Sequence, residues 1–303
     1  MSPRKKDEKK YTKYVGIFLA VIMVGSIGMF FFSGGSTNNN NEQTSENVQA
    51  AGFESVPGKH VSISFNSIHD GLEATPENVT NAMYIDFAST KGTPLQYLAS
   101  NIYVKMYTNA NISMYNNFYK SNVTKMYIAG YRNSSRIEMH DINPQIVAFP
   151  YYMAPETYKG YQPLLLNQGT YRAIIGKPII LGDQQSVEDT IDVIEGDTNS
   201  SQNFKQILRF ANEKAPIQQI IDVDDESADE YYIEWSIDGY NTFKRTSIYG
   251  SPAESTMTKL TERASNASQR GLEYNITSYG NITKVDITTN SSNLGALLEE
   301  PSR

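Results

Sequence analysis

The chain of 303 residues has no cysteine, a single tryptophan and three histidines. Without cysteine there can be no disulfide and no thiolate metal site, so stability must come from a packed core. The histidines, His60, His69 and His140, do not sit at zinc-ligand spacing on a helix, and H-E-x-x-H is absent. His140 and Asp141 are neighbours in sequence, which does not make a catalytic pair. Neither G-x-S-x-G nor G-x-x-x-x-G-K-[ST] occurs, which removes the nucleophile elbow and the phosphate-binding loop. S-x-x-K occurs only at Ser2–Lys5, in the basic tail. These absences assign no catalytic, cofactor-binding or metal-ligating residue and no cofactor, and they favour a protein that is not an enzyme.

The opening of the chain carries the clearest signal. Arg4, Lys5, Lys6, Lys9, Lys10 and Lys13 precede an uncharged run at 15–32, VGIFLAVIMVGSIGMFFF, and no Lys or Arg follows until Lys59. As a helix the run would be about 27 Å long, near the thickness of a bilayer's hydrocarbon core. The charge asymmetry predicts a cytoplasmic tail at 1–14, a transmembrane signal-anchor helix at 15–32 and an exported remainder. A cleaved signal peptide, cut after Ser33-Gly34-Gly35, is the competing reading. Residues 33–51 are polar and of low complexity, a tether that cannot form a core.

Setting aside the tail leaves 20 basic against 31 acidic residues, a net charge of −11. That balance argues against nucleic acid as a partner and leaves the membrane, an envelope protein or a glycan. Nine N-x-S/T sequons lie in this part, at Asn78, Asn111, Asn122, Asn133, Asn199, Asn266, Asn275, Asn281 and Asn290. That is about twice what the Asn, Ser and Thr content gives by chance, and it marks possible glycosylation sites of a surface protein. The densest acidic cluster, Asp222, Asp224, Asp225, Glu226, Asp229 and Glu230, lacks the Gly and Glu that a calcium-binding loop starting at Asp222 needs. It reads as a solvated turn.

Two segments resemble each other. Tyr84-Ile85-Asp86-Phe87 followed by YNNFYKSNVTKMYIAGYRNSS from Tyr115 parallels Tyr232-Ile233-Glu234-Trp235 followed by YNITSYGNITKVDITTNSS from Tyr274. The pattern predicts a tandem repeat of strand, helix, strand, strand. The expected strands are 81–89, 112–119 and 124–131 in the first copy, and 229–237, 271–278 and 283–289 in the second. A short helix opens at Pro94, and 255–268 is helical. Between the copies, two β-rich runs at 171–175 and 178–181 lead into a helix from Ser186. Its apolar face is Val187, Ile191 and Ile194, it is capped by Ser186 with Asp189, and Gly196 closes it. A second helix is expected at 203–212 and a strand at 218–223. The proline- and tyrosine-rich stretch 143–171 reads as the connection between modules, and it and the Tyr-rich strands are candidate contact surfaces.

The stretch GKPIILGDQQSVEDTIDVIEG…NFKQILRFA resembles a motif of uncharacterised single-pass extracytoplasmic proteins of prokaryotes, an archaeal source being open. The resemblance implies tandem α+β modules and no known activity. The expected fold is therefore α+β: a transmembrane helix, then antiparallel or mixed sheets with helices on one face, in two related modules. These span 52–150 and 151–295, with a C-terminal tail at 296–303. The expected function is binding or structural association at the envelope by a membrane-anchored surface protein. An exported hydrolase using carboxylates and a subunit of a surface layer or filament are the alternatives.

Overall fold

The computed structural model describes residues 50–223, 227–238 and 242–301. Twelve strands form its main sheet: Val79–Asp86 (β1), Asn122–Tyr131 (β2), Arg136–Asn143 (β3), Tyr152–Met153 (β4), Leu164–Leu166 (β5), Tyr171–Ile174 (β6), Ile179–Gly182 (β7), Ile217–Asp222 (β8), Glu230–Asp238 (β9), Thr242–Gly250 (β10), Glu273–Tyr279 (β11) and Ile282–Asn290 (β12). Their spatial order is β11-β12-β10-β9-β8-β1-β2-β3-β7-β6-β5-β4, and every adjacent pair is antiparallel.

The central strands are apolar at consecutive positions because the sheet is covered on both sides. In β1, Met83 and Ile85 enter one core while Ala82 and Tyr84 enter the other. In β2, Met126 and Ile128 face the first core, and Tyr127 and Ala129 the second. Six of the covering helices are Ile68–Glu73 (α1), Ile112–Tyr119 (α2), Gln184–Ile194 (α3), Lys205–Leu208 (α4), Glu254–Ser265 (α5) and Leu294–Glu299 (α6). Tyr115 and Tyr119 of α2, Leu260 of α5, Leu297 of α6 and the helical segment 87–108 fill the first core. Ile68 and Leu72 of α1, Val187 and Ile191 of α3, and Ile207 of α4 fill the second. At Gly71 the helix lies so close to the sheet that a Cβ would stand 2.4 Å from the Tyr127 ring, which only glycine avoids.

Several expectations are corrected. The fold is mostly β, one large antiparallel sheet, in place of α+β modules with helices on one face. The two halves do not form related modules, because β8 joins them: Ile217–Ile221 pairs with Asn81–Ile85 on one side and with β9 on the other. The tandem repeat fails on strand order. In the first segment β1 lies directly against β2, whereas β10 separates β9 from β12 in the second. Residues 112–119 form a helix and not a strand. The Asn111 side chain accepts from the Met114 N–H at 3.2 Å, and Tyr115 and Tyr119 fall four apart on one buried face. The stretch 143–171 supplies β4 and β5 at the sheet's edge. No helix among the described residues is long and apolar enough to cross a membrane. The transmembrane helix expected at 15–32, like the tail and most of the tether, lies outside the described residues.

Other elements agree with the reading from sequence. The hairpin of β11 and β12 turns at Gly280, whose φ of +65° suits glycine. The helix α5 and the strands β6, β7, β8 and β9 fall where expected. The helix from 184 is capped one turn earlier than expected, by Asp183, which accepts from the Ser186 N–H at 2.8 Å.

Candidate functional site

A cleft of about 660 Å³ opens where β1 begins and β2 and β8 end, beside the first turn of α3. Antiparallel pairing brings these ends together, with Val79 opposite Tyr131 and Asn81 opposite Ile221. The wall is polar. Glu77, Asp183, Asp189 and Asp222 supply carboxylates, and Arg132 is the one basic residue lining it among the described residues. Asn78, Asn133, Asn203, Thr80, Ser135 and Gln185 add neutral donors and acceptors.

Most of the acidic groups already have structural roles. Asp183 holds the Ser186 N–H and its hydroxyl, at 2.8 and 3.0 Å. Asp222 pairs with Arg132 at 3.2 Å, and Asp189 accepts from the Gln185 amide at 2.7 Å. Tyr131 also lines the cleft, and its hydroxyl is buried without a hydrogen-bond partner among the described residues. Burial, then the charges of Asp189 and Asp183, push its pKa up, so it remains a protonated donor.

A smaller cavity of about 110 Å³ shares Ser135 and Asp183 with the cleft and reaches Arg136 and Glu138. There β3 places Arg136, Glu138 and His140 at alternate positions on the face covered by α2. Arg136 pairs with Glu138 at 2.5 Å, and His140 Nε2 lies 3.2 Å from the other Glu138 oxygen. The Tyr119 hydroxyl meets His140 Nδ1 at 2.8 Å, and the Tyr115 hydroxyl donates to Glu138 at 3.3 Å. Burial works to raise the Glu138 pKa, but the Arg136 charge and the His140 and Tyr115 hydrogen bonds outweigh it and hold the carboxyl at about 2. Burial raises Tyr115 and Tyr119 as well. His140 is fully buried, and this Tyr–His–Glu–Arg chain holds α2 onto β3.

The three histidines remain apart. His60 contacts the Val56 carbonyl at 2.9 Å, and His140 is enclosed under α2. His69 lies on α1 with Asp70 and Glu73, and one ligand atom from each of the three falls within 4.8 Å of the others, close enough for a cation. The Asp70 carboxylate there already accepts from the Ser64 hydroxyl at 2.8 Å and the Asn66 N–H at 2.7 Å. Of the acidic cluster, Asp222 and Glu230 stand opposite each other on β8 and β9. Burial, then the charges of Asp222 and Asp229, raise the Glu230 carboxyl above its ordinary value. Residues 224–226 of that cluster lie outside the described residues.

All nine sequon asparagines are exposed: Asn78, Asn111, Asn122, Asn133, Asn199, Asn266, Asn275, Asn281 and Asn290. Asn78 and Asn133 lie in the cleft wall. Of the tyrosines in 143–171, Tyr158 and Tyr161 bind Asp192 and Glu195 of the α3 region, each at 2.7 Å, and Tyr152 is 74 % exposed. The buried chain on β3 is not singled out by the reading from sequence, although charged residues at alternate positions of an apolar strand, RIEMH, are its signature.

Residues 64–195 match the model of the N-terminal domain of an uncharacterised family. This stretch is less than half the chain, yet it holds β1, β2, α3 and most of the cleft wall. No curated protein and no solved structure matches the chain.

Proposed function

We propose that this protein is a non-enzymatic binding module of the cell envelope and that its cleft takes a neutral, hydroxyl-rich ligand, a glycan. The observation that carries this reading is the cleft itself, of ligand size and lined by polar side chains with Arg132 as its basic residue. Sugar hydroxyls both donate and accept, which matches a wall that mixes carboxylates with amides and hydroxyls. Four carboxylates against Arg132 disfavour phosphate and nucleic acid. The structural roles of Asp183, Asp189 and Asp222 speak against acid–base chemistry and so for binding. The envelope location draws on the sequence alone: basic residues ahead of the run at 15–32, an acidic cysteine-free remainder, and a resemblance to prokaryotic extracytoplasmic proteins.

Calorimetric titration with neutral oligosaccharides, using protein from a host without N-glycosylation so that Asn78 and Asn133 are bare, tests the ligand. R132A is expected to weaken binding about tenfold, the loss of one charged hydrogen bond. The fold should be unharmed, because Arg132 is 80 % exposed. Binding that is indifferent to R132A, or no binding to any neutral glycan, contradicts the assignment. Protease treatment of intact cells checks the location: peptides from 50–301 should be released, and full protection of the chain would refute an outward-facing module.

A further inference from the structure

The two edges of the sheet are built differently. At one end β4 has only two residues, a length that offers little to another strand. At the other end β11 pairs with β12 over seven residues without a register shift, and no described strand lies beyond it. Its free edge is about 24 Å long. The strand, Glu273-Tyr274-Asn275-Ile276-Thr277-Ser278-Tyr279, has no lysine, no proline and no glycine. The usual devices that blunt an edge, namely shortness, an edge lysine, a proline or a bulge, are all missing from it.

We infer that β11 is a docking edge for a second copy of this chain, the two β11 strands pairing antiparallel about a two-fold axis at Ile276. The strand is self-complementary in that register. Glu273 faces Tyr279 of the copy, Tyr274 faces Ser278, Asn275 faces Thr277, and the two half-buried Ile276 side chains meet at the axis. No like charges oppose each other. Both ends of the strand are held in place: Tyr274 is bonded to Glu300, and Tyr279 stacks on Phe210 at 4.7 Å while remaining 48 % exposed. An isologous pair of this kind closes on itself and would join two sheets of twelve strands into one. A head-to-tail contact of β11 with β4 is ruled out by length, seven residues against two. The edge lies on β11, away from the cleft wall, so this proposal does not depend on what the cleft binds.

Sedimentation equilibrium of the full chain, in density-matched detergent and from a host without N-glycosylation, tests this. A dimer is expected. N275K/T277K sets lysine against lysine on both sides of the axis and is expected to weaken the dimer about tenfold or more. N275E/T277K sets opposite charges at the same places, should restore the dimer, and controls for any effect of the substitutions on folding. Monomers across the concentration range overturn the inference. So does a dimer that N275K/T277K leaves intact, or equal weakening by both double variants.

Discussion

Glu138 combines full burial with three partners, and its ionisation is coupled to folding. Its carboxyl is held at about 2 against an ordinary value of 4.5. A lowered carboxyl pKa contributes stability that is complete above about pH 4.5 and is lost as pH falls toward 2. Stability should therefore drop across that window by an amount on the order of 3 kcal/mol. E138Q removes the charge, leaves Arg136 without its buried counter-ion, and is expected to cost about 3–5 kcal/mol near neutral pH. Its loss of stability between pH 4.5 and 2 should be shallower than that of the parent. Urea midpoints across pH check both; an unchanged midpoint with an unchanged acid slope would show that the ion pair contributes nothing. The chain of Arg136, Glu138 and His140 was legible in outline, since three ionisable residues alternate with Ile137 and Met139. What the sequence does not say is that α2 covers them, because that contact is made by a segment lying ahead of β2 in the chain.

Among the elements, α3 is the best specified by its own residues. Val187, Ile191 and Ile194 repeat at helical spacing, and Gly196, at φ +81°, ends it. Asp183 fixes where it begins, and so fixes the wall that carries Ser186 and Asp189 into the cleft. D183A is expected to destabilise the protein by about 1 kcal/mol, and D183S to recover most of that. Equal midpoints for parent and D183A in urea would refute the cap. Residues 112–119 teach the opposite lesson. Ile112, Met114, Tyr115 and Phe118 suit a strand by composition. The Asn111 cap and the four-residue spacing of Tyr115 and Tyr119 decide for a helix because burial against Phe149 and His140 outweighs propensity. The hairpin of β11 and β12 was legible because its turn glycine and its alternation lie within one short stretch.

The architecture as a whole was the least legible. Runs such as NAMYIDF, apolar at successive positions, state that a strand is covered on both faces, and this is the signal that helices lie on both sides. It does not say which strands are neighbours. That β8 sits between β1 and β9, making a continuous sheet out of two apparent modules, rests on pairing of Ile217–Ile221 with Asn81–Ile85, segments far apart in the chain. The cleft is hidden for the same reason. Its wall comes from 76–80, 131–135, 183–189, Asn203 and Asp222, segments that only this strand order brings together. Nothing local in any of them announces a site. Acidic balance, the exclusion of familiar catalytic motifs and the tyrosine-rich stretch 143–171 hinted toward binding, but none of them pointed to this cleft.

Hydrogen exchange of the full chain with and without a neutral oligosaccharide tests the glycan cleft most directly, because it reports position as well as binding. Slowed exchange is expected at 78–80, 131–135 and 183–189 together, with β4 and β11 unchanged. Protection confined to the edge strands or to 143–171, or no change anywhere at saturating sugar, would contradict the assignment of the cleft as the binding site.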